Sequence, residues 1–231
     1  MLHGLMGGVG NRGQYLPYSF SDRSNLFAGE RIDVIGSALG QHDFGQMAGG
    51  LIAGTLVATE LGWQPIEDLR TGDRVVTFDN GMRPLRAVRI STLWTAETEA
   101  PRSVWPLLVP MRALGNRTEM TLMPEQAVLI ESDEAEAMYG DPFMLVSAGV
   151  LDGYKGITRV PPQREVTVVT LEFEGDEVVY ANGTLLVHCP ADRVERVRGI
   201  DEMMSTGSRG CYQRLTDMQG RKLVAAMHSG R

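Results

Sequence analysis

The stretch between Gly50 and Thr77 constrains the fold of this chain most strongly. Its apolar residues come in runs of strand length that are rich in β-branched side chains, and glycine, proline and aspartate separate the runs. Runs of this length and composition favour β-strands. We predict two strands joined by turns within residues 50–59 and 62–77, with a polar turn at residues 69–73 that bends at Gly72.

The next residues predict a β-hairpin. Residues 75–78 end at Asn80-Gly81, a pair that tolerates the positive φ angles of a tight hairpin turn. Residues 85–90 alternate apolar side chains with arginine, which indicates a half-exposed returning strand. Further runs of strand length occur at residues 105–110, 120–123, 124–130, 166–173 and 178–183. The pattern therefore predicts an all-β domain.

Several short motifs occur in an order that is typical of one family. They are Ala-Gly-Thr at residues 53–55, Pro-Ile-Glu-Asp-Leu at 65–69, Gly-Asp at 72–73 and Pro-Glu-Gln-Ala-Val-Leu at 124–129. Together they resemble a Hint (hedgehog/intein) domain, in particular a bacterial subfamily, over residues 48–188. The resemblance implies the all-β Hint fold, followed here by a short C-terminal helical appendage.

The resemblance also implies that the catalytic positions are replaced. Gly50 stands where the family has its first Cys, Met123 where it has Ser or Thr, and Gln126 where it has His. Asp176 stands in the place of a later His, and Thr170 occupies the position that aligns with a further His on the preceding strand. We expect no catalytic residue at any of these five positions.

In active members of the family, a thiol or hydroxyl attacks the carbonyl just before it, and a His protonates the departing amide nitrogen. Gly50 has no side chain to attack with, and Thr55 is five residues further on, inside the predicted strand. Gln126 can donate a hydrogen bond but cannot transfer a proton near neutral pH. The loss of the proton donor alone costs about 10²–10⁴-fold in rate.

Two residual candidates lie at the end of the domain. His188-Cys189 resembles the pair at an intein's C-terminal junction, but the Asn between them that would cyclise is absent. We interpret Cys189 as a residue that fills a small apolar gap. We interpret Asp176 and Glu177 as a solvated hairpin loop, and Asn182-Gly183 as the positive-φ turn that ends the last hairpin.

The flanks differ in composition from the domain. We predict a Gly-rich, loosely ordered leader at residues 1–47, whose apolar patch at residues 32–36 can add a strand, then the Hint-like domain at 48–190. In the C-terminal segment, 191–231, apolar residues at helical spacing predict two helices over 192–204 and 209–228. The apolar stripe of the second helix, predicted to pack on the domain, comprises Leu215, Met218, Leu223, Ala226 and Met227.

Charge and cysteine content exclude several classes of function. A net charge of −7 with no basic cluster argues against nucleic-acid binding. The two cysteines, Cys189 and Cys211, form neither a disulfide framework nor a metal-ligand spacing, so we predict no metal and no cofactor. We see no Sec signal peptide and no apolar run of membrane-spanning length, so we expect a soluble protein, cytoplasmic or exported without a classical signal.

Three hypotheses of function follow. The first is a degenerate Hint domain without autoprocessing that acts as a structural or protein-binding module with an unknown protein partner. The second is a domain that still cleaves itself or a partner through Cys189, or that uses a nucleophile near Gly50. The third is a domain that assembles into a homo-oligomer through its acidic surface or its helices.

Overall fold

The structure, a computed structural model, describes residues 31–32, 50–94, 101–162, 165–191 and 212–229 of the chain. Within these residues, two β-sheets enclose one main hydrophobic core, and two α-helices lie beside them. The all-β prediction is confirmed. Cys211 and the predicted helix at residues 192–204 lie outside the described residues.

The first sheet has the strand order β1-β7-β13-β2-β9-β8-β12 among the described residues. Its longest pair joins β7 to β13 over eight antiparallel residue pairs. Strand β1 pairs in parallel with the outer edge of β7 and includes Ile32, the first residue of the predicted apolar patch; residues 33–36 of that patch lie outside the described residues. The strands are β1 Arg31–Ile32, β2 Leu51–Ile52, β7 Ala87–Trp94, β8 Leu107–Val109, β9 Met120–Leu122, β12 Thr158–Arg159 and β13 Glu165–Glu172.

The second sheet has the order β16-β11-β10-β15-β14-β3-β5-β6, with β4 paired to β3. Several pairs in this sheet join strands that are far apart in sequence. For example, β10 pairs with β15, and β14 pairs with β3. The strands are β3 Leu56–Thr59, β4 Gly62–Pro65, β5 Arg74–Thr77, β6 Gly81–Pro84, β10 Ala127–Glu131, β11 Phe143–Ser147, β14 Glu177–Ala181, β15 Leu185–Cys189 and β16 Gln213–Arg214.

The prediction of two strands between Gly50 and Thr77 was wrong, because this stretch contains four. Turns after Ile52 and Thr59 and a short 3₁₀ helix at Ile66–Asp68 divide it. Thr55 lies in the first turn rather than inside a strand, and its hydroxyl donates to the carbonyl of Ile52 at 2.7 Å. The bend at Gly72 is confirmed, with a φ of 94°.

The hairpin predicted over residues 75–90 needs correction, as does the hairpin that the family resemblance implies over residues 166–183. The strand that returns from Asn80-Gly81 is β6, whereas the alternating segment after Leu85 is mostly β7 of the first sheet. The chain changes sheet at Arg86, whose N–H donates to the carbonyl of Glu172 on β13. β13 and β14 likewise belong to different sheets and form no hairpin. Alternation of apolar and polar residues shows which face is buried, but not which sheet a strand joins.

Two helices pack beside the sheets. Helix α1, Asp133–Tyr139, was not predicted; Ser132 caps its N-terminus and Gly140 ends it in the left-handed conformation. Helix α2, Asp217–Ser229, begins eight residues later than predicted, because Thr216 and Gln219 form a capping box and the preceding residues form β16. Leu223 is buried as predicted, but Met218 points to solvent and is 70% exposed.

Short 3₁₀ helices complete the described structure and lie in the connections between strands. Besides the one before β5, they span Arg102–Val104, Ala148–Leu151 and Tyr154–Gly156. The second of these supports α2, since a Cβ atom placed on Gly220 would lie 3.1 Å from Val150. Ser147, just before it, donates its hydroxyl to the carboxylate of Asp217 at 2.8 Å. The C-terminal helix is therefore part of the folded core.

Candidate functional site

Gly50 lies directly before β2 and is buried against β13. A Cβ atom built on its backbone would lie 2.5 Å from Cγ1 of Val168 and 2.9 Å from the hydroxyl oxygen of Thr170. It would also lie 3.1 Å from the carbonyl oxygen of Val169. Atoms in a packed protein interior do not approach this closely. A side chain at residue 50 would therefore require Val168 and Thr170 to move.

Gln126 lies directly before β10, is almost fully buried, and contacts both ends of the domain. Its Oε1 accepts a hydrogen bond from the N–H of Gly50 at 3.0 Å. Its Nε2 donates to the carbonyl oxygens of His188 and Ala127, each at 3.0 Å. The side chain of Gln126 thus links Gly50, just before β2, to His188 of β15.

Thr170 and Met123 complete the surroundings of Gly50. Thr170 lies on β13, with its hydroxyl facing the place where a side chain of residue 50 would begin. Met123 is buried in a small apolar cluster with Val166 and Val168, against which Ile52 packs. Its carbonyl accepts from the N–H of Gln126 at 3.0 Å, which positions the glutamine. Four of the sequence-predicted positions, Gly50, Met123, Gln126 and Thr170, therefore lie together.

Asp176 has a different position. Its Oδ1 accepts from the N–H of Ala191 at 2.7 Å, so it holds the chain just after Cys189. His188 is half-buried on β15, opposite Val178 of β14. The contact that joins His188 to the site runs through its backbone carbonyl, which accepts from Gln126. Asp176 therefore bonds the backbone at Ala191, whereas Gln126 bonds it at His188.

Cys189 is the last residue of β15 and lies in the main core. Burial, together with the nearby carboxylate of Glu177, raises the pKa of the Cys189 thiol to about 12. A thiol reacts as its thiolate, so this environment keeps the sulfur unreactive near neutral pH. The interpretation of Cys189 as a residue that fills an apolar gap agrees with this burial.

The interpretation of Glu177 as part of a solvated loop was wrong. Its side chain is 4% exposed and lies opposite Cys189 across the β14–β15 pair. The carboxylate lies 3.3 Å from Nε of Arg83 and accepts from Nδ2 of Asn80 at 2.9 Å. Sequence reasoning missed this cluster because both partners are more than ninety residues away in the chain. A buried carboxylate needs such partners, and nothing near Glu177 in the sequence identifies them.

Asn182-Gly183 adopts the turn predicted for it, with φ angles of 45° and 132°. The side chain of Asn182 is buried, and its Oδ1 accepts from the N–H of Leu56 at 2.6 Å. Within the described residues, no group of three or more His, Cys, Asp or Glu side chains could hold a metal ion. In the same residues, no helix is both long and apolar enough to cross a membrane.

The two sheets and Gln126 define a class of all-β domain. In it, one buried side chain bonds both the residue before β2 of the first sheet and a residue of β15 in the second. The family model described as "Hint domain" matches residues 50–186. The chain belongs to this family, and the resemblance found in the sequence is confirmed.

Solved structures similar to this chain include inteins and an intein-like domain. The bacterial intein-like domain from Clostridium thermocellum is 15% identical, with 61% of this chain and 98% of that chain covered and a TM-score of 0.43. The gp41-1 intein is 20% identical, with 61% and 98% covered and a TM-score of 0.39. For the MchDnaB-1 intein the values are 14%, 60%, 98% and 0.37. A search of curated proteins found no match.

Proposed function

We propose that this Hint-family domain does not process itself and acts as a structural or protein-binding module. One observation carries the proposal: a Cβ atom at residue 50 would lie 2.5 Å from Val168. A nucleophile at this position would need a side chain; Gly50 has none, and Val168 and Thr170 would have to move to admit one. Covalent catalysis without a nucleophile is not possible.

The hydrogen bonds of Gln126 support the same proposal. Self-processing at residue 50 requires an acid that gives a proton to the amide nitrogen of that residue as the peptide bond breaks. Gln126 faces this nitrogen with its oxygen, which accepts the N–H hydrogen bond. The glutamine side chain therefore stabilises the intact peptide and offers it no proton.

The alternative is residual self-cleavage at Cys189, and one contact favours it. Sγ of Cys189 would attack the carbonyl carbon of His188, the His188–Cys189 peptide bond would break as the thiol proton passes to the leaving amine, and an added thiol or water would cleave the resulting thioester. Nε2 of Gln126 already donates to the carbonyl oxygen of His188. A donor in this position stabilises the oxyanion that forms in acyl transfer. The burial of the thiol opposes the reaction, since a pKa of about 12 instead of 9.0 lowers the thiolate population near neutral pH by about a thousandfold.

A repair experiment tests the proposal. The variant Gly50→Cys/Gln126→His/Val168→Ala restores a thiol and a proton donor and removes the methyl group that lies closest. We expect dithiothreitol to release residues 1–49 from this variant, and to leave the native chain and Gly50→Cys alone uncut. Release of the same fragment from the native chain would contradict the proposal, because it would require a nucleophile elsewhere.

We also propose the division of the chain into residues 1–47, 48–190 and 191–231. The family match over residues 50–186 supports the central unit. Limited proteolysis followed by mass spectrometry tests the division. We expect the described parts of residues 50–190 to resist digestion, and helix α2, whose Leu223 is buried in the core, to be protected with them. Early cuts within residues 50–94, 101–162 or 165–190 would contradict it.

A further inference from the structure

One end of the second sheet has an apolar row on its outer side. Trp63 of β4 pairs with Ala58 of β3, and Val76 of β5 pairs with Met82 of β6. The pairing of Thr59 with Val75 places Ala58 opposite Val76. The four side chains therefore form one apolar row across β4, β3, β5 and β6. Tyr180 of β14 lies beside the middle of this row, because β14 pairs with both β3 and β5 there and its register sets Tyr180 against Ala58 and Val76. With strands about 4.8 Å apart, the row is about 14 Å long.

This row faces away from the core. The alternate residues of β3 and β5, such as Val57 and Val75, are buried in the core. Trp63 is 41% exposed and Met82 is 47% exposed, and they stand at the two ends of the row. Single exposed apolar side chains are common on protein surfaces, but a continuous row of them marks a surface suited to association.

An ion pair lies beside the row on the same face. Glu60 follows β3 and Arg74 begins β5; their side chains are 3.8 Å apart and about half exposed. Glu60 lies two residues from Ala58, and Arg74 two residues from Val76, so each shares the outer face. We call the six residues Trp63, Ala58, Val76, Met82, Glu60 and Arg74 the outer face.

The outer face is complementary to itself. A two-fold axis parallel to the strands, lying above the outer side of the sheet and over the space between β3 and β5, exchanges the two halves of each row. It would place Trp63 on the partner's Met82, and Glu60 on the partner's Arg74. Sulfur–aromatic contacts and opposite charges are both favourable. A two-fold dimer requires one patch that matches its own copy in this way.

We propose that the outer face binds a second copy of this chain, with a two-fold axis between β3 and β5. The inference rests on the proposed role as a protein-binding module and names its partner. Six residues a side are fewer than the roughly 20–30 of a standard interface, so the dimer should be weak. We expect a dissociation constant on the order of 10⁻⁴ M.

Sedimentation velocity of the full chain, from about 10 µM to about 1 mM, tests the dimer. We expect the weight-average mass to rise from one towards two copies over this range. Met82→Glu and Trp63→Glu should each weaken association at least about tenfold, because a buried carboxylate would lack a partner. Met218→Glu is the control, since Met218 is exposed on α2, outside this face.

A charge exchange tests the orientation of the two copies. Glu60→Arg brings four positive charges together in a homodimer, and Arg74→Glu brings four negative charges together. Each variant alone should therefore remain monomeric. An equimolar mixture of the two should associate more tightly than the native chain, and salt should weaken this association.

Thermal unfolding of each variant separates a fold defect from a lost contact. A monomer at 1 mM, or a dimer that the Trp63, Met82 and charge variants leave unchanged, would overturn the inference. Self-processing would appear as fragments in the same samples by mass spectrometry. An intact monomer would therefore contradict the dimer alone, whereas fragments would contradict the proposed function.

Discussion

The absence of a side chain at residue 50 is a packing requirement of this fold. We expect Gly50→Ala to lower the free energy of unfolding by about 1–3 kcal/mol, because the added methyl group must displace Val168 or the β13 backbone. Urea unfolding followed by circular dichroism measures the effect. Gly175→Ala is a matched control, since a Cβ atom there meets nothing within 4 Å. Equal stability of the two variants would contradict the packing described around Gly50.

Cys189 should make stability fall at alkaline pH. Its thiol ionises near 9.0 in the unfolded chain and near 12 in the folded protein. The raised pKa therefore contributes stability that is fully present below pH 9 and is lost as pH rises from about 9 to about 12. Between pH 8 and pH 10, we expect the native chain to lose about 1 kcal/mol more than Cys189→Ala does.

Urea unfolding across this pH range, in a Cys211→Ala background, isolates the contribution of Cys189. The Cys189→Ala variant serves as the reference, because other alkaline titrations affect both chains alike. Iodoacetamide gives a second measurement on the same samples: Cys189 should be alkylated only in urea. Rapid alkylation of folded Cys189 at pH 7.5 would contradict its burial.

At the scale of single elements, local patterns predicted most strands but not their partners. The run at residues 105–110 predicted β8, and the Asn-Gly turn predicted the end of β5. The segment after Leu85 was assigned to a hairpin, because alternation is the same whichever sheet a strand joins. Helix α1 was missed because it is only seven residues long, too short for a clear periodicity.

Helix α2 should contribute strongly to stability, although it lies outside the family match. Leu223 is completely buried in the core beneath it. We expect Leu223→Ala to cost about 2–5 kcal/mol, through lost burial and the cavity left behind. Lys222→Ala, at the exposed neighbouring position, should change the thermal midpoint little. If Leu223→Ala and Lys222→Ala had the same thermal midpoint, the helix would not be packed on the domain as described.

At the scale of the whole molecule, Gln126 connects the two sheets. It bonds Gly50, which leads into the first sheet, and His188 of the second. Gln126→Met would leave a buried N–H and a buried carbonyl without this partner, and we expect a loss of at least about 2 kcal/mol. Hydrogen exchange of the Gly50 amide should accelerate in this variant and not in Gln213→Met, whose side chain is exposed.

The sequence predicted where the site would be, but not how its residues contact one another. The resemblance selected Gly50, Met123, Gln126 and Thr170 as corresponding positions, and the fold places these four side by side. It did not predict that Gln126 would bridge two strands, nor that Glu177 would be buried with Arg83. These contacts join residues separated by about 60 to 95 positions, and local composition carries no information about them.

The central claim, that this Hint-family domain does not process itself, is tested most directly by the intact mass of the purified full-length chain. The protein is incubated with and without dithiothreitol, beside Cys189→Ala as a control. We predict a single species at the full mass of 231 residues in every sample. A fragment that ends just before Gly50 or Cys189, and forms faster with the thiol, would contradict the account. If Cys189→Ala abolished that fragment, Cys189 would be the nucleophile.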